Sequence, residues 1–233
     1  MKNFIITLFL FVSAFLCQAQ TQPKSAASPP QKLETIQDFD KAIAANPKNT
    51  DLYIGRARLK GNASNFKGAI ADFTKAIELY PKAFAAYYDR AVCKEKIKDI
   101  EGAIADYSKV IEHEDKNYAA FYGRGNLFFD KKMYKEAVYD YSYVIRINPN
   151  MTTAYFNRAL AKVELKQYEE AIKDYTAVIE KDPNPELAYY NRAFVKLKLK
   201  QIAGACSDFS KAAELGYANA NAAIKEHCEK LNK

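Results

Sequence analysis

The sequence holds little of what a catalytic site needs. Its 233 residues include two histidines, His113 and His227, far apart in sequence and each beside glutamates. It has no glycine-rich phosphate loop, no nucleophile-elbow motif and no metal-ligand spacing. Acidic residues are plentiful but stand where a solvated helix face uses them. These gaps argue against an enzyme, and no cofactor or metal is expected. Long apolar runs are equally scarce. The one that exists is Phe4 to Leu16, so no second membrane-spanning candidate follows it.

That run has its own meaning. It follows one lysine and leads into Cys17-Gln-Ala19, the pattern of a secretory signal peptide over residues 1–19. A membrane anchor is the alternative, but the run is short for a span and a small-residue exit follows it. Lipid attachment at Cys17 calls for a small residue before the cysteine, where Leu16 stands. Residues 20–32, rich in Gln, Ser, Ala and Pro, form an extended linker without apolar periodicity. The sequence thus predicts an exported protein, periplasmic first and secreted or envelope-associated second. Contact with a membrane is expected only through the signal peptide before cleavage.

The formal net charge is +7, a weak pointer to acidic partners. Lys96, Lys98, Lys131, Lys132, Lys166, Lys198 and Lys200 gather near first-helix ends, as compensation of helix dipoles or as a basic rim. Nucleic acid is not an expected partner, because these lysines follow helix ends rather than a stripe with base-reading side chains.

What the sequence has in abundance is register. Pro47, Pro81, Pro149 and Pro183 stand on a comb of 34 residues, broken only at Asp115. Arg56, Arg90, Arg124, Arg158 and Arg192 form a second comb, and Asp38, Asp72, Asp106, Asp140, Asp174 and Asp208 a third. Such spacing means one small unit copied in tandem. Inside each unit apolar residues recur three or four apart in two blocks, the period of two amphipathic helices. Small residues fall where the helices must approach, at Ala57, Ala91, Gly125, Ala159 and Ala193 and at Ala69, Ala103, Ala137, Ala171 and Ala205. Four residues after the second set come Phe73, Tyr107, Tyr141, Tyr175 and Phe209. Small against large at fixed spacing suits interlocking helix pairs.

These columns resemble the tetratricopeptide repeat (TPR) family. Ala154-Tyr-Phe-Asn-Arg-Ala159 with Tyr168-Glu-Glu-Ala171, then Tyr175 and Pro183, match the repeat pattern closely. Two departures are an Arg in every unit where a large apolar residue is common, and Asp115 in place of proline. The resemblance implies an all-α, right-handed superhelical solenoid. The units are a half repeat at 33–49, five full units at 50–83, 84–117, 118–151, 152–185 and 186–219, and a capping helix at 220–233.

In that family the first helices line a concave groove that takes extended peptides or partner helices. Carried over, the groove here holds Tyr88, Tyr122, Phe156 and Tyr190, with Asn126, Leu160 and Phe194 one turn on. Asp89, Asn157 and Asn191 lie between them. Rings supply rigid contact area and amides can bond a peptide backbone. The alternative is that the rings pack only on neighbouring repeats. Tyr and Phe fill the column where chaperone-tail binders of the family carry Lys, so a chaperone C-terminus is not the expected ligand.

The Arg and Asp combs read as structural ion pairs. Each Arg is followed sixteen residues later by an Asp and preceded eighteen earlier by another, as in Asp72, Arg90 and Asp106, so the two combs could alternate as a ladder. Of the remaining cysteines, Cys93 lies on an apolar helix face as a small hydrophobe. Cys206 and Cys228 lie equally far from Tyr217, level in an antiparallel hairpin, and a disulfide is expected there if the compartment is oxidising. The function that follows is a non-catalytic scaffold that binds a protein or peptide. A structural subunit of an envelope or secretion assembly is the alternative, and an enzyme with an unrecognised site the third reading.

Overall fold

The computed structural model describes residues 33–228. The expected signal peptide, the linker and the last five residues of the capping helix lie outside the described residues.

Twelve helices and no strand occur among the described residues. A single helix, α1 (Ile36–Ala45), comes first. Five hairpins follow: α2 (Thr50–Asn62) with α3 (Phe66–Leu79), α4 (Phe84–Lys96) with α5 (Ile100–His113), α6 (Tyr118–Asp130) with α7 (Tyr134–Ile147), α8 (Thr152–Glu164) with α9 (Tyr168–Lys181), and α10 (Glu186–Lys198) with α11 (Ile202–Glu214). The short α12 (Ala220–His227) closes the series. Each helix packs on the next in sequence, and the hairpins stack into a right-handed superhelical solenoid in which first helices of neighbouring units also touch, α2 with α4 and α6 with α8, on the side where the resemblance sets the inner face. No helix among the described residues is long and apolar enough to cross a membrane.

The packing follows the columns. All nine alanines of the two small-residue sets are fully buried, as is Gly125. Phe73, Tyr107, Tyr141, Tyr175 and Phe209 are at most 2% exposed, so each large ring fills the space that small neighbours leave. By register α12 is the first helix of a sixth unit, because Ile224 and Cys228 stand 34 residues after Tyr190 and Phe194. At the other end α1 opens with a capping box, in which the Asp38 N–H donates to Thr35 Oγ1 and the Thr35 N–H donates to the Asp38 carboxylate.

The turn inside each unit carries a feature the sequence does not advertise. Ser64, Lys98, Lys132, Lys166 and Lys200 all have φ between 58° and 64°. The following residue's N–H then reaches the carbonyl five residues back, as from Met133 to Phe128, at 2.8 to 2.9 Å in all five turns. This is the Schellman ending, in which glycine is the usual left-handed residue. A lysine there is strained. Lys132→Gly should therefore stabilise the fold by about 0.5–1 kcal/mol, net of glycine's greater freedom in the unfolded chain. An upward shift in the urea midpoint checks this, and an unchanged or lower midpoint refutes it.

Candidate functional site

Two constellations organise the inner face: a chain of ion pairs that holds the first helices in place, and a row of rings that those helices display.

The ion pairs repeat in all five full units. In each one the Arg Nε and Nη2 donate to the two oxygens of the Asp sixteen residues on, at 2.6 to 2.9 Å: Arg56 to Asp72, Arg90 to Asp106, Arg124 to Asp140, Arg158 to Asp174 and Arg192 to Asp208. The five aspartates are at most 5% exposed. Each guanidinium also lies over the ring of the residue three before it: Tyr53, Tyr87, Phe121, Tyr155 or Tyr189.

The link between units differs from the alternating ladder that spacing alone suggests. The third nitrogen, Nη1, does not reach the preceding Asp. It donates to the residue two further on: Asp40, Thr74, Ser108, Ser142 and Thr176, at 2.6 to 3.0 Å. Two residues turn about 200° on a helix. The Asp therefore faces the first helix of its own unit while the hydroxyl faces the next. The hydroxyl hydrogens of Thr74, Ser142 and Thr176 are spent on carbonyls four residues back, which leaves their oxygens to accept.

A second cation completes four of the five pairs. Lys60, Lys94, Lys162 and Lys196 meet Asp72, Asp106, Asp174 and Asp208 at 2.7 to 2.8 Å. In the third unit that column holds Phe128, whose ring lies against Arg124. Asp140 is the most deeply buried of the set and has one cation where the others have two. Its burial pushes its carboxyl above the usual carboxylate range, against the opposing pull of Arg124.

The row of rings is held from behind. Tyr88, Tyr122, Phe156 and Tyr190 are half-buried, each packed on the large ring of its own second helix: Tyr107, Tyr141, Tyr175 and Phe209, with centroids 5.5 to 6.0 Å apart. Packing fixes their tilt and leaves part of each ring exposed. Room for this comes from Gly123, where a Cβ would fall 2.6 Å from the Tyr107 ring. Gly55 stands 68 residues earlier in the same column and accommodates Phe39 in the same way.

The polar members divide. Asn126 and Asn157 meet at the centre, where Asn157 Nδ2 donates to the Tyr122 hydroxyl at 3.0 Å and to Asn126 Oδ1 at 3.2 Å. The Tyr141 hydroxyl donates to the same Asn126 oxygen at 2.8 Å. Asn191 instead turns back to the Leu187 carbonyl, and Asp89 accepts from Arg58 of the preceding unit at 2.8 Å. Leu160 joins the apolar cluster around Tyr175, and Phe194 packs on Tyr190 and Phe209.

Glu95 was missed by the sequence reading. It continues the stripe of Tyr88 and Val92 at helical spacing, and accepts a hydrogen bond from the Tyr107 hydroxyl. Its burial raises its carboxyl above the usual range. The two histidines differ in exposure, and His113 is open to solvent as its glutamate neighbours suggest. His113 stacks on Phe84 with centroids 4.3 Å apart, and His227 is half-buried against Phe194 and Phe209. Cys206 and Cys228 are joined by a disulfide with Cα atoms 5.7 Å apart, while Cys93 is a buried thiol that burial pushes up to about 11. At the start of α2 and the turn between α3 and α4, Ile54, Tyr80, Phe84 and polar neighbours line an open cavity of about 320 Å³.

Comparison with known families accounts for this architecture. Tetratricopeptide repeat models match residues 54–112, 118–151 and 152–185, more than half of the chain. The chain belongs to the tetratricopeptide repeat family. No curated protein sequence matches it. Among solved structures, YrrB, a TPR protein with an unusual peptide-binding site, is 25% identical with a TM-score of 0.74, over 82% of this chain and all of YrrB. A C-terminal part of a TPR repeat-containing protein from Cytophaga hutchinsonii is 20% identical with a TM-score of 0.69, over 82% of this chain and 76% of that one. MamA from Desulfovibrio magneticus, from residue 41 to its end, is 19% identical with a TM-score of 0.67, over 71% and 94%. The last two likenesses concern the fold alone. The family and its solenoid fit a role in protein interaction.

Proposed function

We propose that this TPR protein is a non-catalytic scaffold that works outside the cytoplasm and holds an extended segment of a partner protein along its concave face. The observation that carries the reading is the row Tyr88, Tyr122, Phe156 and Tyr190. Four rings stand in one column on successive first helices, each braced from behind and each partly open. Rigid rings give contact area at little entropic cost, and the central amides keep unused groups for a peptide backbone. YrrB, a TPR protein with a peptide-binding site and a similar fold, supports peptide binding as the use of such a stack. Export is supported by the pattern of residues 1–19 and by the Cys206–Cys228 bond, since disulfides persist in oxidising compartments.

One feature favours a second reading, a structural subunit docked through its outer face. Tyr139, on the second helix α7, is 64% exposed. Photocrosslinking in the native cell separates the two. A benzophenone amino acid at Tyr88 or Tyr122 should yield a discrete adduct with a partner, and one at Tyr139 should not. Adducts from Tyr139 alone would shift the function to the convex face.

A further inference from the structure

We infer that the groove selects a partner segment that is cationic where it crosses α4 and α6 and apolar where it crosses α8 and α10. This rests on the groove reading above and adds the chemistry of the occupant.

On each first helix one stripe faces inward at i, i+4 and i+7. It reads Tyr88, Val92, Glu95 on α4, then Tyr122, Asn126, Phe129 on α6. On α8 and α10 it reads Phe156, Leu160, Val163 and Tyr190, Phe194, Leu197, with no carboxylate. Within this stripe the one carboxylate, Glu95, lies on the first half. The Glu95 carboxylate accepts a hydrogen bond from Tyr107 and is bonded to no Lys or Arg side chain among the described residues. Around it are Tyr88, Asp89 and Lys96 of its own helix and Asp130 at the end of α6. Asp89 is held by Arg58, whose side chain is 56% exposed. Glu164, at the end of α8, is turned to Tyr134 instead.

The Glu95 carboxylate is therefore partly withdrawn from water without a bonded cation, on a chain whose net charge is +7. A Lys or Arg side chain from outside would supply the missing partner, with the faces of Tyr88 and Tyr107 beside it. Acidic segments and nucleic acid would meet like charge there. Adjacent first helices stand roughly 10 Å apart, so α4 to α10 spans about 30 Å, or about nine extended residues. The cationic and apolar parts of the segment thus fall within one continuous stretch.

The probe is a phage-displayed library of random peptides of about twelve residues, selected on the purified disulfide-bonded protein. Selected peptides should carry Lys or Arg at one end and Leu, Phe or similar residues toward the other. Their affinity should fall roughly tenfold on Glu95→Gln, fall with added salt, and fall similarly when the peptide's Lys is replaced by norleucine, a change that leaves the protein untouched. Neutral or acidic peptides that still depend on Tyr122 and Phe194 would overturn the charge inference and leave the groove reading standing. Peptides indifferent to Tyr122 and Phe194, or no peptides, would sink the groove reading and the inference with it.

Discussion

Replacing Arg124 by alanine is expected to cost about 3–5 kcal/mol, the largest effect of any single change in the Arg comb. Asp140 has no exposed side-chain surface, and Arg124 is its only ion-pair partner among the described residues. Without the guanidinium both oxygens lose their donors, and Ser108 on the neighbouring unit loses its own. Arg90→Ala should cost clearly less, because Asp106 keeps Lys94 at 2.8 Å. Urea denaturation of the two variants tests the order, and equal or reversed losses refute it.

The pH dependence separates charge from packing. Asp140 already titrates above its ordinary value in the fold, and loss of Arg124 raises it further. A folded pKa above the unfolded one favours the protonated native state. The penalty of the variant is thus full at neutral pH and shrinks as pH falls through the folded pKa of Asp140. A deficit that persists unchanged into acid would assign it to lost packing on Phe121 and Phe128 instead. Adding Phe128→Lys restores the cation that the other four units carry, and should recover part of the loss at neutral pH.

The repeat was legible because its punctuation uses residues with few alternatives. Proline cannot continue a helix, and only small residues fit where helices touch, so the 34-residue comb shows through. The hydroxyl column was in the same register but hidden, since Asp40, Thr74, Ser108, Ser142 and Thr176 share an acceptor rather than an identity. The left-handed lysines were hidden for the opposite reason. Lys98, Lys132, Lys166 and Lys200 form a visible column, but lysine carries no signal for positive φ and reads as helix-end charge. In the groove, residue identity placed the rings of Tyr88, Tyr122, Phe156 and Tyr190 in one row. How far each is tied to the layer behind depends on distances that no spacing encodes. Glu95 was overlooked because its column, Gly61, Glu95, Phe129, Val163 and Leu197, has no common chemistry.

Reduction of the Cys206–Cys228 bond, or Cys228→Ser, is expected to release the end of the stack while the middle stays folded. The bond closes a separation of 22 residues, for which constraint of the unfolded chain is worth about 3 kcal/mol. Its effect concentrates on α12, which has eight residues, far below the length at which an isolated helix persists, and no side-chain N-cap bond. Cys206 stands in the column of Ile70, Ile104, Val138 and Ile172, and Cys228 in that of Val92, Asn126, Leu160 and Phe194. The bridge therefore fastens the last helix at a register position that the inner units fill with other side chains. What remains to hold α12 is Ala220, Ala223, Ile224 and the ring of His227 against Phe194 and Phe209. In a stack whose units touch only their neighbours, loss at one end propagates weakly. Hydrogen exchange should show the α12 amides losing their protection on reduction, the α10 and α11 amides weakening, and those of α4 to α7 unchanged. Cys93 sits buried in the second unit and should resist alkylation until global unfolding. Persistent protection of α12 in the reduced protein would mean that apolar packing alone seats the cap, and the disulfide would lose its structural role.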